Sequence, residues 1–462
     1  MSYDDYVLRK LSTVPATGIA DGFSVPGSLF PHQRALTAWA LRRGRAAIFA
    51  DTGLGKSRMQ IAWADAVRKH TKRPVLILAP LAVAAQTAAE GMEIGVEIKH
   101  CRDMSETPGS NIVITNYDRL HRFDPDAFSG VVLDESSCIK HHDSKTLKLL
   151  LQAFEQTQFK LCATATPAPN DWTELGTHAQ FLGVCTQAEM LAEYFTHDGG
   201  DTSVWRLKGH ARELFWTWVS QWGAMVRKPS DLGFDDSAYL LPNLHMHEHT
   251  VKTEMPLNGM LFAAEAQTLS ERRDARRMSV EDRVKDCASI VNSEASEPWV
   301  VWCDLNAEGD ALTKAINGAV QIAGADSHEV KEQRLADFAD GKFRVLVSKP
   351  SICGFGLNWQ HSARMAFVGV TDSFEAYYQA VRRCWRFGQK RDVHIHVFAS
   401  SAEGAVVANL KRKERDATAM AESLSAETRD AVMQSVTGTV RQTNTYNAAR
   451  PVAVPAFLKA AA

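Results

Sequence analysis

The chain has 462 residues, of which 45% are hydrophobic and 23% charged, and its 52 Lys and Arg against 54 Asp and Glu give a formal net charge of −2. This composition excludes a globally disordered chain, and the near-neutral charge excludes a protein that binds nucleic acid over its whole surface. The acidic N-terminus lacks an apolar signal core, no apolar run of about 18 residues occurs, and none of the eight cysteines forms a Cys-x-x-Cys pair. We therefore expect a cytoplasmic protein with neither a membrane span nor a zinc ribbon.

Short apolar runs alternate with helical patterns in two parts of the chain. Strands are predicted at residues 46–50, 75–79, 112–115, 131–133 and 159–162, and again at 299–303, 319–322, 343–348, 365–368 and 393–398. Continuous apolar strands separated by helices indicate parallel sheets covered on both faces. The stretch between the two parts lacks this rhythm and is predicted to be mostly helical, so we expect an α/β fold of two lobes with a helical insertion.

The predicted boundaries follow from this alternation and from the length, which allows about three units of roughly 150 residues. We place an N-terminal segment at 1–24, a first lobe at 25–175, the insertion at 176–295, a second lobe at 296–415, and a C-terminal helix and tail at 416–462.

A glycine-rich loop follows the first predicted strand and opens a helix, which is the context of a phosphate-binding loop. In this segment, ADTGLGKS at 50–57, Gly53 and Gly55 allow backbone N–H groups to turn toward phosphate oxygens. Lys56 is expected to contact the β- and γ-phosphates, and Ser57 to ligate Mg²⁺. The sequence thus predicts ATP and Mg²⁺ as cofactors, with nucleotide contacts from Thr52, Gly53, Leu54, Gly55, Lys56 and Ser57.

Two adjacent carboxylates end the apolar strand at 131–133. On its own such a pair is a weak signal, but together with the phosphate loop it predicts a catalytic centre. Asp134 is expected to hold Mg²⁺, and Glu135 to orient and deprotonate the attacking water.

With these residues the chain resembles helicase superfamily two, the DEAD/DEAH-box-like group, and more closely the Swi/Snf-type ATPases that translocate on double-stranded DNA. The resemblance runs from about Leu29 to Arg415 and implies two RecA-like lobes. It is carried by LFPHQ at 29–33, DESSCIK at 134–140, TATPAPN at 164–170, SICGFGLNW at 351–359 and QAVRRCWRFGQ at 379–389.

The resemblance also implies roles for single residues. Gln33 is expected to hydrogen-bond the adenine edge, and Gly356 to allow close backbone approach to the nucleotide. Arg383 and Arg386, three apart on one helix face, are expected to reach the γ-phosphate from the second lobe as arginine fingers. Contacts with nucleic acid are expected from the loop and strand-end residues Pro80, Asn116, Tyr117, Ser348 and Asn358.

The function implied is that of an ATP-dependent motor, acting as a monomer, that translocates on or remodels duplex DNA. The compactness of the chain favours a role in bacterial or phage DNA metabolism. Two alternatives remain open: a helicase that separates strands of DNA or RNA, and a non-hydrolysing, nucleotide-dependent DNA-binding module.

Overall fold

Two parallel β-sheets, one in each half of the chain, organise the fold. The computed structural model describes residues 14–80, 83–107, 111–168, 171–198, 201–251, 269–353, 358–369, 373–401 and 406–438. The strands are β1 (Arg45–Ala50), β2 (Val75–Ala79), β3 (Ile98–His100), β4 (Ile112–Asn116), β5 (Gly130–Asp134), β6 (Phe159–Thr164), β7 (Phe195–Asp198), β8 (Asp201–Leu207), β9 (Gly223–Val226), β10 (Leu244–Val251), β11 (Trp299–Cys303), β12 (Ala319–Ile322), β13 (Val345–Ser348), β14 (Arg364–Val368) and β15 (Val393–Ser400).

Helices connect most of these strands and cover both sheets. The α-helices are Pro31–Arg43, Lys56–Thr71, Ala84–Glu93, Lys145–Ala153, Leu175–Leu182, Gln187–Tyr194, Arg212–Ser220, Leu269–Met278, Val280–Ser293, Asn306–Ala315, His328–Ala339, Pro350–Cys353, Phe374–Val381 and Val406–Thr437. Among the residues described, no helix is both long and apolar enough to cross a membrane.

The first sheet has the order β3-β4-β2-β5-β6-β1-β9 and the second the order β10-β15-β14-β11-β13-β12, with parallel pairing throughout. Successive side chains of a strand point to opposite faces, so each sheet feeds two apolar clusters. In β1, Ile48 lies in one cluster and Phe49 in the other. This confirms the predicted α/β class with two RecA-like lobes.

The segment between the lobes differs from the helical insertion that was predicted at 176–295. β7 and β8 form an antiparallel hairpin, β9 adds an edge strand to the first sheet, and β10 adds one to the second. β9 is a run of only four residues, and β10 alternates histidines with other side chains. Such short or half-polar edge strands lack the long apolar signature on which the prediction depended.

The long helix Val406–Thr437 follows the last strand of the second sheet but ends against the first lobe. Val432 and Val436 are buried in the apolar cluster that covers one face of the first sheet. Trp39 Nε1 donates a hydrogen bond of 2.8 Å to Ser435 Oγ. The helix thus spans both lobes.

Candidate functional site

A cavity of about 490 Å³ lies between the two lobes, at the carboxyl ends of the strands of the first sheet. In a parallel sheet this edge is where ligands bind. The lining combines residues predicted for the nucleotide, metal and catalytic site from both halves of the chain, namely Gln33, Thr52, Gly53, Gly55, Lys56, Ser57, Asp134, Glu135, Arg383 and Arg386.

The phosphate loop leaves β1 and enters the helix Lys56–Thr71 through two glycines with left-handed backbone. Gly53 has φ +95° and Gly55 φ +80°, values that L side chains rarely adopt. A Cβ on Gly55 would also lie 2.2 Å from Gln33 Nε2, so this position requires glycine. At these two glycines the loop therefore brings its backbone to the cavity.

Lys56 begins the helix after the loop, and its Nζ donates a hydrogen bond of 2.9 Å to the carbonyl oxygen of Ala50. Burial lowers the pKa of its ammonium group, while the nearby carboxylates of Glu135, Asp51 and Asp134 act in the opposite direction. A cation in this setting is a strong attractor for phosphate oxygens.

Asp134 ends β5 and is 6% exposed. Burial, with the neighbouring Glu135 adding to it, raises the pKa of the Asp134 carboxyl above its ordinary value of 3.8. Gln60 Nε2 donates a hydrogen bond of 2.7 Å to Asp134 Oδ1 and lowers that pKa. A bound cation in the cavity would likewise favour the ionised carboxylate.

The Asp134 carboxylate and the Ser57 hydroxyl line the same cavity, and both are hard oxygen donors suited to Mg²⁺. In the described part of the chain, no three His, Cys, Asp or Glu side chains gather to hold a metal ion. Mg²⁺ usually binds through one or two protein oxygens together with water and substrate phosphates. The donor set therefore fits a magnesium–nucleotide complex.

Glu135 stands at the turn from β5 into the short helical turn Ser136–Ile139, with φ +51°. A non-glycine residue pays about 1 kcal/mol for this backbone, and such strain concentrates at functional sites. Thr164 Oγ1, at the end of β6, donates a long hydrogen bond of 3.4 Å to Glu135 Oε2. The turn aims the carboxylate into the cavity beside Asp134.

Arg383 and Arg386 follow the helix Phe374–Val381 of the second lobe and face the same cavity. Arg383 is 2% exposed and donates from Nε to the carbonyl oxygen of Gln379 at 3.1 Å. Burial, followed by the neighbouring Arg386, lowers the pKa of Arg383 to about 9. Two guanidinium groups that line one cavity repel each other, and an anion bound between the lobes would offset this repulsion.

Gln33 is buried in the first turn of the helix Pro31–Arg43. Its Oε1 accepts a hydrogen bond of 3.0 Å from the Phe30 backbone N–H, and its Nε2 donates one of 3.0 Å to the Leu54 carbonyl oxygen. The side chain thus fastens the helix to the phosphate loop, and a second amide hydrogen remains for the predicted adenine contact. Leu54 itself is buried beneath the loop.

Three aromatic rings line the cavity from three parts of the chain. Tyr239 lies 4.8 Å from Phe387 and 5.7 Å from Phe30 between ring centroids. Sequence reasoning missed Tyr239 and Phe387, because a single aromatic residue in a loop carries no pattern. Flat aromatic surfaces at the edge of a nucleotide cavity suit a base.

The residues predicted to contact nucleic acid are placed differently from one another. Asn358 lines the cavity between the lobes, on the nucleotide side. Pro80 follows β2 at the strand edge and is half-buried. The structure does not support the contact predicted for Ser348, which is 1% exposed and donates its hydroxyl to the Ile322 carbonyl oxygen at 2.8 Å. Gly356 lies outside the described residues.

Asn116 and Tyr117 have polar atoms engaged within the first lobe. Asn116 Oδ1 accepts a hydrogen bond of 3.1 Å from the Arg119 backbone N–H and caps a short helical turn. Tyr117 Oη donates one of 2.7 Å to the Asp134 carbonyl oxygen, at the end of β5. In this conformation both side chains make hydrogen bonds within the first lobe, at the ends of β4 and β5.

A buried histidine from another element lies against Ser136, the residue after Glu135. His178 belongs to the helix Leu175–Leu182, and its Nε2 lies 3.1 Å from Ser136 Oγ. Burial lowers the pKa of His178 to about 4, so the imidazole is neutral at pH 7. The sequence spacing of 42 residues offered no signal for this pair.

Sequence reasoning also missed Asp51, the second residue of the phosphate-loop segment. Its Oδ1 accepts hydrogen bonds from the Thr52 backbone N–H at 2.6 Å and from Tyr378 Oη at 2.8 Å, so the carboxylate joins the two lobes. An acidic residue beside a phosphate site was the available signal, because a carboxylate there needs a compensating partner.

Models of two protein families match the two parts of the chain that carry these residues. A model of the SNF2-related domain matches residues 32–209, and a model of the helicase conserved C-terminal domain matches residues 283–388. Putative protein p41 of Acyrthosiphon pisum secondary endosymbiont phage 1 is 22% identical over 83% of this chain and 96% of its own length. The Sulfolobus solfataricus SWI2/SNF2 ATPase core in complex with dsDNA aligns with 88% of this chain and 98% of its own, at 16% identity and a TM-score of 0.42.

Proposed function

Because the chain is a Swi/Snf-type, helicase-like protein of superfamily two, we propose that it hydrolyses ATP to drive movement along duplex DNA. The observation that carries the proposal is the cavity shared by the lobes. Lys56 and Glu135 enter it from the first lobe, and Arg383 and Arg386 enter it from the second. A site assembled from both lobes couples the bound nucleotide to their relative position.

Each side chain has a defined part in the proposed hydrolysis. Lys56 and the backbone of the phosphate loop bind the phosphates, and Ser57 and Asp134 would hold Mg²⁺, which would neutralise charge on the phosphate oxygens. Glu135 orients a water molecule and accepts its proton. Arg383 and Arg386 stabilise the negative charge that develops on the transferred phosphoryl group.

Movement follows from the same contacts. With ATP bound, the arginines of the second lobe are attracted to its γ-phosphate and hold the cleft closed. Once the γ-phosphate leaves, this attraction is lost and the lobes separate. Repeated closure shifts one lobe relative to the other along the nucleic-acid backbone, which both lobes contact without reading sequence. We propose a monomeric motor with lobes centred on 25–175 and 296–415, each of which gains an edge strand, β9 or β10, from the segment between them.

Duplex DNA is proposed as the track because the first lobe matches the SNF2-related domain. The test is ATP turnover by the purified chain alone, with duplex DNA, with single-stranded DNA and with RNA. Strong stimulation by duplex DNA, weakening as salt is raised, is the expected result. Stronger stimulation by single strands or RNA would favour a strand-separating helicase.

Two variants test the active site itself. Lys56→Ala and Glu135→Gln are expected to lower turnover by about 10³-fold or more, while Arg364→Gln, an ion-pair change remote from the cavity, serves as the control. Normal turnover in either active-site variant would contradict the assignment. ATP binding by the wild type without phosphate release would instead support a non-hydrolysing module.

A further inference from the structure

The carboxylate of Asp51 joins the phosphate loop of the first lobe to the helix Phe374–Val381 of the second. Tyr378 Oη donates a hydrogen bond of 2.8 Å to Asp51 Oδ1, and an Arg382 amino group lies 3.4 Å from Asp51 Oδ2. The side chains of Arg382 and Asp51 are 10% and 19% exposed. A charge-assisted contact with this little solvent is stronger than a surface ion pair.

The same contact sets how closely the two lobes approach at the phosphate loop. A Cβ built on Gly53 would lie 3.1 Å from the Phe387 backbone nitrogen, so these two backbones are nearly in van der Waals contact. Arg382 contacts Asp51 with its guanidinium group, which also stacks on Trp385 at 4.7 Å from the ring centroid. Asp51 is therefore held two residues from a close approach between the lobes.

The position of Arg382 in the chain connects its contact with Asp51 to the two arginines that line the cavity. Arg383 is the next residue, and Arg386 lies four positions after Arg382 in the turn that follows the helix Phe374–Val381. A shift of Arg382 away from the loop would carry both arginines with it, because the backbone joining them is short and well packed. A displacement of about 1 Å at a catalytic group is enough to lower a rate by roughly 10²-fold.

We propose that Asp51 is a positioning residue, which holds Tyr378 and Arg382 so that Arg383 and Arg386 face the nucleotide cavity when the lobes close. The proposal rests on the proposed ATP hydrolysis, since it assigns Asp51 a part in forming that site. Asp51 acts through its second-lobe partners and does not itself contact the reacting phosphate. Its removal should therefore lower kcat more than it changes KM for ATP.

A double-mutant cycle separates this role from a local effect on the phosphate loop. The four proteins are the wild type, Asp51→Asn, Arg382→Gln and the double variant, assayed at saturating duplex DNA. Each single change is expected to lower kcat about 10-fold with KM for ATP within about 2-fold, and the double variant to match the singles. Independent effects, with kcat lowered about 100-fold in the double variant, would overturn the proposal, as would an unchanged kcat in Arg382→Gln.

Tyr378→Phe and Arg364→Gln complete the set. Tyr378→Phe removes one hydrogen bond to Asp51 and leaves the phosphate loop intact, so a smaller loss of kcat is expected. Arg364 makes an ion pair of 2.9 Å with Glu294 inside the second lobe, so Arg364→Gln removes a comparable charge contact that does not cross the cleft. Its kcat should equal that of the wild type.

Amide hydrogen exchange of peptides covering 374–387 tests the contact without any turnover. In the nucleotide-free proteins these peptides should exchange about 3-fold faster in Asp51→Asn and in Arg382→Gln than in the wild type. The double variant should exchange no faster than either single variant. Unchanged exchange would overturn the proposal even if kcat falls. If the wild type does not hydrolyse ATP, the proposed function fails, while the exchange cycle still decides whether Asp51 holds the second-lobe segment.

Discussion

Gln60 donates a hydrogen bond of 2.7 Å from Nε2 to Oδ1 of Asp134. The bond joins the helix that follows the phosphate loop to the end of the strand that carries the two carboxylates, and both partners are buried. Because the bond favours the ionised carboxylate, it opposes the rise in pKa that burial and Glu135 impose on Asp134. Gln60 therefore helps to keep Asp134 able to bind a cation.

Replacing Gln60 with leucine should make ATP turnover more sensitive to acid. Without the hydrogen bond, the pKa of Asp134 rises further, so the carboxyl is protonated and unable to hold Mg²⁺ at a higher pH. We expect the acid limb of the profile of kcat/KM against pH to move upward by roughly one unit. The measurement is steady-state turnover between pH 5.5 and 9 at two Mg²⁺ concentrations.

The matched control is Gln333→Leu. Gln333 makes the same kind of bond, from Nε2 to Asp337 Oδ1 at 2.9 Å, but on an exposed helix of the second lobe. Its profile should coincide with that of the wild type. A profile for Gln60→Leu that also coincides with the wild type would show that the bond has no bearing on Asp134.

A ladder of histidines predicts loss of stability in mild acid. His247 and His249 of β10 pair with His394 and His396 of β15 through ring nitrogens 3.0 Å apart. Burial, followed by the charges of the neighbouring histidines, lowers the pKa of His396 from 6.5 to about 3. The folded chain therefore leaves this imidazole unprotonated at pH values where the unfolded chain protonates it.

The direction of the effect follows from this difference in proton binding. The contribution of unprotonated His396 to the free energy of unfolding is complete above pH 6.5 and is lost as the pH falls from 6.5 toward 3. In that window His396 contributes a slope of at most about 1.4 kcal/mol per pH unit to the free energy of unfolding. The free energy of unfolding, measured by urea denaturation at several pH values, should fall less steeply with decreasing pH in His396→Gln than in the wild type. The same substitution at exposed His141 should leave that pH dependence as it is in the wild type.

A fully buried ion pair predicts a large effect within the second lobe. Arg283 and Glu308 are 0% exposed, with 2.7 Å between their charged atoms, and Glu308 Oε2 also accepts the Leu305 backbone N–H at 2.9 Å. Glu308→Gln leaves a buried guanidinium uncompensated and should cost about 3–5 kcal/mol. Amide exchange of β11 measures the loss, because β11 is the buried centre of that sheet.

The comparison for this variant is Glu297→Gln. Glu297 pairs with Arg391 at 2.8 Å, but the side chains are 30% and 46% exposed. Exposed pairs contribute about 0–1 kcal/mol, so exchange in β11 should change little. Equal effects of the two substitutions would contradict the argument from burial.

Val432 tests the docking of the long C-terminal helix on the first lobe. The residue is 1% exposed, so Val432→Asp places an unpaired charge in the apolar cluster and should cost about 3 kcal/mol or more. Gln434→Asp, an exposed position on the same helix, should cost less than about 0.5 kcal/mol. The readout is amide exchange of β1, with β11 of the second lobe as the internal reference.

Much of the fold was predictable from sequence because its central strands are continuous apolar runs. The predicted strand at 131–133 lies within β5, and that at 299–303 coincides with β11. The edge strands β9 and β10 were missed, because one is short and the other alternates histidines with other residues. Partners far apart in sequence, such as Ser136 and His178, leave no pattern that sequence alone can reveal.

The candidate site, like the fold, was predictable from sequence only where its residues form local motifs. The phosphate loop and the Asp134–Glu135 pair are local motifs, and the cavity brings them together as predicted. The contact predicted for Ser348 stays a prediction; its hydroxyl is buried, and in sequence a hydroxyl at a strand end looks the same whether it faces solvent or the core. Asp51 and Arg382 escaped notice because their meaning depends on the packing of one lobe against the other.

The course of the helix Val406–Thr437 affects how the protein is made. Val432 lies in the same apolar cluster as Ile48 and Leu232, yet the ribosome adds it roughly 200 residues after the last of these. At about 5–20 residues per second, that interval is roughly 10–40 s. Throughout it, the part of the apolar cluster that Val432 and Val436 cover is an uncovered apolar strip on the nascent first lobe. The first lobe is begun first but completed last, and a chaperone that binds such strips would meet this chain at that stage of its synthesis.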